Sequence, residues 1–212
     1  LDLTKIRGKY TTKSLDIPDL DKNPFKQFET WFNDAIEAKI SEPNAMILAT
    51  VGLDMMPSVR AVLLKTFDEE GFVFFTNYKS KKAKQIEENP KASSLFSWID
   101  IERQIKIEGS IEKISTADSL KYFLSRPKGS QIGAWVSHQS NIITSRSLLE
   151  QKFDEIKRKF VKGEVPFPDF WGGYIIKPIR IEFWQGGQDR LHDRFLYEKN
   201  EKKEWTIIRL AP

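Results

Sequence analysis

Residues 45–77 read AMILATVGLDMMPSVRAVLLKTFDEEGFVFFTN, and the fold class turns on them. Within this stretch, residues 45–51, 57–67 and 72–77 are short apolar segments rich in β-branched and aromatic side chains. Segments of that length and makeup are strands. A further strand is expected at 92–99. Beyond it Ile105, Ile107 and Ile111 share one parity while Gln104, Lys106, Glu108 and Glu112 take the other, the alternation of a strand with one wet face. Between these strands a short helix is predicted from Ser80 to Glu88, stopped by Asn89 and Pro90.

Upstream, Asn23 and Pro24 form a cap and first-turn pair, and Phe25, Phe28, Phe32, Ala35 and Ile36 then recur at helical spacing until Pro43. Downstream, helices are predicted at 116–125 and at 144–162, the latter stopped by Gly163, and strands at 173–185, 192–198 and 204–210. Strands gathered in two groups around helices describe a barrel or sandwich with helical additions. They argue against alternating βαβ units and a Rossmann sheet. Residues 1–22 are polar, with Arg7, Lys9, Tyr10 and Lys13 clustered, and read as an arm; 23–212 read as one domain. The chain begins at Leu1, and further residues are expected upstream.

Composition limits the chemistry. Thirty-four Lys and Arg against thirty Asp and Glu give a formal charge of +4 over 212 residues. So modest a surplus suits phosphorylated small molecules; nucleic acid asks for a basic stripe or arm that the sequence lacks. Cysteine is absent, which removes thiol nucleophiles, thiolate metal sites and disulfides. His138 and His192 are the sole histidines, too few for a metal hydrolase. No apolar run approaches the ~18 residues of a membrane span, so a cytoplasmic location is expected.

The run EFWQGGQDRLHDR at 182–194 has the makeup of a site. If the segment after Gly187 is extended, Arg190, His192 and Arg194 form one cationic row beside Trp184, a wall for a planar anionic ligand. The alternative is a solvated edge strand whose charges deter aggregation. In the strand 57–67, Arg60 and Lys65 have opposite parity and lie roughly 16 Å apart along the axis, which assigns them to different anions unless each merely snorkels. Thr76, Asn77, Ser80, Lys81 and Lys82 open a helix whose N-terminus can receive a phosphate. Tyr122 and Arg126 share a helix face at i, i+4, with Pro127, Lys128, Gly129 and Ser130 following as a loop; they form a phosphate cup or pack at the surface. Gln139, Ser140 and Asn141 either donate to a ligand or cap the next helix.

Several strings together carry a family likeness: RAVLLK at 60–65, FFTN with SKKA at 74–83, ERQIKIEG at 102–109, KYFLSRPKGSQIGAWVS at 121–137, GEVPFPDFWGG at 163–173, IEFWQGGQDRLHDRFLY at 181–197 and the terminal RLAP. The chain resembles the pyridoxine (pyridoxamine) 5'-phosphate oxidase family of FMN-binding split β-barrel proteins, over nearly its whole length. The resemblance implies a mainly β split-barrel homodimer with FMN in clefts between subunits. It implies hydride transfer from C4' of pyridoxine 5'-phosphate or pyridoxamine 5'-phosphate to flavin N5, with O2 as acceptor and pyridoxal 5'-phosphate and hydrogen peroxide as products.

By the same likeness Arg60, Lys81 and Lys82 hold the FMN phosphate, with Gln139 and Ser140 contributed by the partner chain. Gln104 meets the flavin ring, and Trp184 and Arg194 fix the cofactor. Ala61, Val62, Leu63, Leu64, Lys65, Phe75 and Thr76 complete that pocket. Lys65, Tyr122, Arg126 and Ser130 grip the substrate phosphate, while Arg190 and His192 cover its ring, His192 either taking a proton or orienting the ring. Arg7 and Tyr10 match a segment that closes over the substrate. One departure stands out: Lys81 occupies a position where the family often has arginine, which alone makes a bidentate grip on phosphate. A carrier of FMN or pyridoxal phosphate without catalysis, or another split-barrel flavin reductase, remains the alternative.

Overall fold

A computed structural model describes residues 3, 10, 14–136, 139–140, 143–161 and 163–212. Arg7, Lys9, Lys13, His138 and Asn141 lie outside the described residues. The elements in chain order are α1 (Pro24–Glu37), β1 (Ala45–Val51), β2 (Pro57–Asp68), β3 (Gly71–Asn77), α2 (Lys81–Glu88), β4 (Lys91–Trp98), β5 (Arg103–Lys113), α3 (Thr116–Ser125), α4 (Lys128–Val136), α5 (Arg146–Lys159), β6 (Trp171–Gln185), β7 (Asp193–Lys199) and β8 (Trp205–Leu210). Strands pair in the order β3-β2-β1-β4-β5-β6-β7-β8, and β3 also pairs with β6. That second pairing closes β1 to β6 into a six-stranded ring, so the fold is a mainly β barrel with helices, as expected. No helix among the described residues is long and apolar enough to cross a membrane.

The chain folds as two compact units: Leu1–Leu48, Ser93–Gly109 and Pro178–Pro212 make the first, Ala49–Ala92 and Ser110–Lys177 the second. In the first, α1 starts as the sequence prescribes, with the Asn23 side chain accepting from the Phe25 amide and Pro24 in the first turn. The buried stripe is Phe25, Phe28, Trp31 and Ala35. Ile36, placed on that stripe by the periodicity, is 51% exposed, and the helix stops at Glu37 rather than near Pro43. Trp31 takes its place, edge-on to Phe183 at 5.2 Å and covered by the Arg103 guanidinium at 4.4 Å. Pairing of β6 with β7 sets Phe183 opposite Phe195 and Ile181 opposite Tyr197, all four fully buried. Each such side chain contributes ~1.5–3 kcal/mol of burial.

In the second unit the antiparallel register of β3 and β6 sets Phe72 against Ile176, Phe74 against Tyr174 and Thr76 against Gly172. A cluster of Phe123, Ile132, Ala134, Val136, Val165 and Trp171 packs α3 and α4 beside the start of β6. Here the sequence reading needs correction. Residues 128–130 are not a loop: after Pro127 the chain turns directly into α4, so Ser130 sits in its first turn. The final helix is also shorter than expected, α5 running from Arg146 to Lys159.

Along β2 inward and outward residues alternate until Leu64, which is buried; then Lys65 and Thr66 are both exposed and Phe67 turns inward. The register explains it. Leu64 faces Phe74 but Thr66 faces Val73, so one extra residue is inserted at Lys65. This is a β-bulge, which re-aims the side chains around it.

The turn into β3 depends on Gly71. Its φ is +152°, and a Cβ there would lie 2.2 Å from the carbonyl oxygen of Ile176. Gly71→Ala is expected to destabilise the ligand-free protein by about 2–3 kcal/mol, read as a lower urea midpoint with unchanged slope.

Candidate functional site

The second unit carries a cleft of about 600 Å³ lined by Ala61, Val62, Leu63 and Lys65 of β2, Phe75, Thr76 and Asn77 of β3, Lys82 of α2, and Tyr122, Arg126 and Ser130 from α3 to α4. Among the described residues three cations line it and no carboxylate does. Leu64 alone of the β2 run points away, being 4% exposed in the core. Phe75, Tyr122 and Trp171 form a stack at its wall, with Phe75 and Tyr122 ring centres 3.9 Å apart.

Arg126 follows the last turn of α3, its guanidinium 4.6 Å from the centre of the Trp171 ring. Nη1 is buried and has no hydrogen-bond partner, and burial pulls the guanidinium below its ordinary pKa. A buried donor left unmade costs ~1–3 kcal/mol, more for a charged group. An anion bound in the cleft would satisfy it. Tyr122, Arg126 and Ser130 line one cleft, and Lys65 lines it with them.

Beside this cleft, and sharing Ala61, Lys82 and Gln139 with it, lies a second of about 530 Å³ lined also by Ser58, Val59, Arg60, Lys81 and Ser140. Arg60 and Lys65 thus open onto different clefts, in agreement with their opposite parity up to the bulge. Ser80 caps α2, its hydroxyl accepting from the Ala83 amide. The capped turn brings Lys82 inward, 8% exposed, where Nζ donates to Gln139 Oε1 at 2.8 Å, Thr76 Oγ1 at 3.0 Å and Ser80 Oγ at 3.4 Å. All three acceptors are neutral. Burial first, and the nearby charge of Arg60 second, push the Lys82 pKa down to about 8. Gln139 and Ser140, which the family likeness assigns to the partner chain, lie at this cleft in the same chain, Ser140 Oγ accepting from the Lys81 amide at 3.2 Å.

The first unit carries a different constellation. Gln104, Trp184 and Arg194 line a smaller cleft of about 300 Å³ with Leu95, Lys106, Glu182 and Pro212. Arg194 Nε donates to Glu182 at 2.7 Å and Nη1 to the Ala211 carbonyl at 2.8 Å, while Lys106 reaches the other Glu182 oxygen at 3.1 Å. Burial raises the Glu182 pKa, but the hydrogen bonds from Arg194 and Lys106 outweigh it and hold the carboxyl below its ordinary value. His192 lies 4.7 Å from the Trp184 ring, and its Nδ1 accepts from the Gly187 amide at 3.2 Å, which puts the proton of the neutral ring on Nε2. Tyr10 packs edge-on against both rings, at 5.9 Å from Trp184 and 5.0 Å from His192. Gly186 admits it: a Cβ there would fall 2.4 Å from Tyr10 Cδ1.

The extended row of Arg190, His192 and Arg194 is not formed. Gln188–Arg190 is a 3-10 turn in which Asp189 and Arg190 have φ of 52° and 65°, and β7 begins only at Asp193. The paired glycines 186 and 187 favour a turn over a strand, and that signal outranks the alternation of charges. Sequence reading also passed over Thr50 and Gln85, buried polar residues bonded to Arg60. Their signal was faint: Gln85 lies one helical turn from Lys82 on the same face as Ala83 and Ile86.

The buried charge of Lys82 makes a checkable statement about pH. With a folded value near 8 against 10.5 for the ordinary side chain, the unfolded chain binds more protons between those values, so stability falls as pH drops through that window and stays lower below it. Lys82→Met is expected to raise the thermal midpoint of the ligand-free protein near pH 7 and to give no gain above pH 10.5. Inorganic phosphate should raise the midpoint of the parent protein more than that of the variant. A variant no more stable at pH 7 would refute this account of the site.

Comparison with known proteins agrees with this geometry. Residues 32–160 match the model of the pyridoxamine 5'-phosphate oxidase family, and residues 171–212 that of the pyridoxine 5'-phosphate oxidase C-terminal dimerisation region. The pyridoxine/pyridoxamine 5'-phosphate oxidase of Aliarcobacter butzleri (strain RM4018) is 78% identical over 212 residues, the whole of both chains. That of Crocosphaera subtropica (strain ATCC 51142 / BH68) is 60% identical over 214 residues, again the whole of both. Among solved structures, PhzG from Burkholderia lata 383, in complex with tetrahydrophenazine-1-carboxylic acid, superposes with a TM-score of 0.90 at 28% identity, covering 97% of this chain and 100% of that one. The closed six-stranded ring, the cation-lined clefts and full-length identities of this order place the chain in the pyridoxamine 5'-phosphate oxidase family of oxidoreductases.

Proposed function

We propose that the protein oxidises pyridoxine 5'-phosphate or pyridoxamine 5'-phosphate to pyridoxal 5'-phosphate with bound FMN, as a cytoplasmic homodimer. The observation that carries the reading is the pair of adjoining anion clefts, in which Lys82 is buried among neutral oxygens and Arg126 Nη1 is buried without a partner. A phosphorylated cofactor and a phosphorylated substrate supply two anions for two clefts, so the donor set fits FMN. The match of residues 171–212 to a dimerisation region supports a homodimer.

Residue roles follow from chemistry and cleft. Arg60, Lys81 and Lys82, with Gln139 and Ser140, hold the cofactor phosphate, and Ala61, Val62, Leu63, Phe75 and Thr76 line the way to it. Lys65, Tyr122, Arg126 and Ser130 grip the substrate phosphate, where a charge-assisted fork on Arg126 fixes orientation. In the first unit Gln104, Trp184 and Arg194 meet the flavin, and Arg190 and His192 cover the pyridine ring. His192, whose Nδ1 accepts from the Gly187 amide, carries the proton of its neutral ring on Nε2 and donates from there to the alcohol or amine group, orienting the reacting carbon. Residues 1–22 are assigned to an arm and 23–212 to the domain; of the described arm residues, Tyr10 is seated against Trp184 and His192, and Leu15 and Asp16 bond Asp193 and Arg209. When bound, FMN supplies the redox chemistry, accepting a hydride from C4' at N5 and passing the electrons to O2 to give hydrogen peroxide. The imine formed from the amine substrate takes up water and releases ammonia.

The purified protein reconstituted with FMN should be yellow, lose its flavin absorbance when pyridoxine 5'-phosphate is added without oxygen, and release peroxide when air is admitted. A carrier would bind both and do neither. His192→Asn is expected to lower kcat by roughly 10²-fold with little change in KM, the range for a misplaced reacting group whose phosphate is still held. Arg126→Ala should instead raise KM by more than about tenfold, the range for a lost charge-assisted hydrogen bond. Kinetics with the two patterns exchanged would refute the division of roles.

A further inference from the structure

Arg60 does not aim itself. Its Nη1 donates to Thr50 Oγ1 at 2.5 Å, the Thr50 hydroxyl donates in turn to Gln85 Oε1 at 2.8 Å, and Arg60 Nη2 reaches the same Gln85 oxygen at 3.5 Å. The Gln85 amide nitrogen donates to Ser58 Oγ at 3.2 Å. Thr50 is 2% exposed and Gln85 4%, so neither lies on the ligand-facing surface. Together they tie β1, β2 and the buried face of α2 to one guanidinium.

We propose that Gln85 and Thr50 are positioning residues that fix the Arg60 guanidinium toward the anion cleft through uncharged acceptors, and so set the affinity of that cleft for a phosphate group. Both side chains orient a cation without cancelling it. A carboxylate at position 85 would offer the same acceptor geometry but would add a negative charge against Arg60 and compete with the ligand anion for it. The amide nitrogen would also be lost to Ser58. Among the described residues lining the cleft of Arg60, Lys81 and Lys82 none is acidic, and Gln85→Glu would add a carboxylate to its floor. Desolvation strengthens this effect, since Arg60 is held below its ordinary pKa by burial. The inference rests on the reading of this cleft as the seat of the cofactor phosphate.

The test compares two flavins that differ only in that phosphate. Full-length protein freed of flavin is titrated with FMN and with riboflavin, following flavin fluorescence, for the parent chain, Gln85→Glu and Thr50→Val, with thermal midpoints recorded for each. The parent should favour FMN over riboflavin by at least about tenfold. Gln85→Glu should lower FMN affinity on the order of tenfold or more and leave riboflavin affinity unchanged. Thr50→Val, which keeps the shape and removes the hydroxyl, should shift FMN in the same direction by a smaller factor, and it decides the matter if Gln85→Glu fails to fold. Equal losses for both flavins would show a merely structural role and overturn the proposal, as would an unchanged preference for FMN in the variants. A parent chain with no preference for FMN would instead overturn the underlying reading of the cleft.

Discussion

The second unit is built around a cation kept where a cation is expensive, and its packing must carry that cost. Lys82 is 8% exposed, and each of its described hydrogen bonds ends on a neutral oxygen. Burying an ammonium without an opposite charge is ordinarily avoided, and placing lysines in the first turn of a helix adds the opposition of the helix dipole. Nothing about folding asks for either. On the reading of this cleft as a phosphate seat, both become favourable, because the buried charge then faces an anion. The unmade bond of Arg126 Nη1 in the adjoining cleft follows the same logic: stability of the ligand-free chain is surrendered for affinity.

The first unit handles charge in the opposite way. Glu182 is buried with Arg194 and Lys106 both bonded to it, so its cleft has a balanced floor beneath Gln104 and Trp184. What it offers a ligand is flat surface and hydrogen-bond direction: the indole of Trp184, the imidazole of His192 oriented by a backbone amide, and Tyr10 edge-on to both. Ring systems are recognised by such faces, whereas phosphates are recognised by uncompensated donors. The two units thus differ in charge pattern: a carboxylate answers the cations of the cleft in the first, and none of the described lining residues does so in the second.

Most of the strands were legible because one buried face imposes alternation, as at Ile105, Ile107 and Ile111, all of them buried. The cap of α1 was legible too, since Asn23 accepts from the Phe25 amide as its position requires. What escaped were places where local signals compete. Pro127, Lys128, Gly129 and Ser130 spell a turn, yet proline also starts helices, and packing of Ile132, Ala134 and Val136 on Phe123 and Trp171 decides for α4. Arg190, His192 and Arg194 alternate like a strand, but Gly186 and Gly187 precede a turn that takes Arg190 off the row. Thr50 and Gln85 escaped because hydropathy gives buried polar residues the same weight as solvated ones. The likeness to a family supplied the candidate ligand contacts; it did not supply the side chains standing behind them.

Backbone irregularity gathers where those contacts are. Among the described residues, eight other than glycine have positive φ. Lys39 and Glu42 follow α1, while Met55 and Lys203 sit in the turns between β1 and β2 and between β7 and β8; such tight connections need no functional reason. The other four are Glu102, Ser140, Asp189 and Arg190. Glu102 accepts from the Gly186 amide at 2.8 Å, beside the seat of Tyr10; Ser140 lines the Arg60 cleft; Asp189 and Arg190 make the turn before His192. The bulge at Lys65 belongs with them, because without it residues 65 and 66 would not both face outward while Leu64 and Phe67 both face the core. A regular strand can aim alternate side chains only, and these irregular positions supply directions that regular elements do not provide. Locally unfavourable conformations persist where the surrounding packing over-determines them, and here the rigid ring of strands supplies that packing.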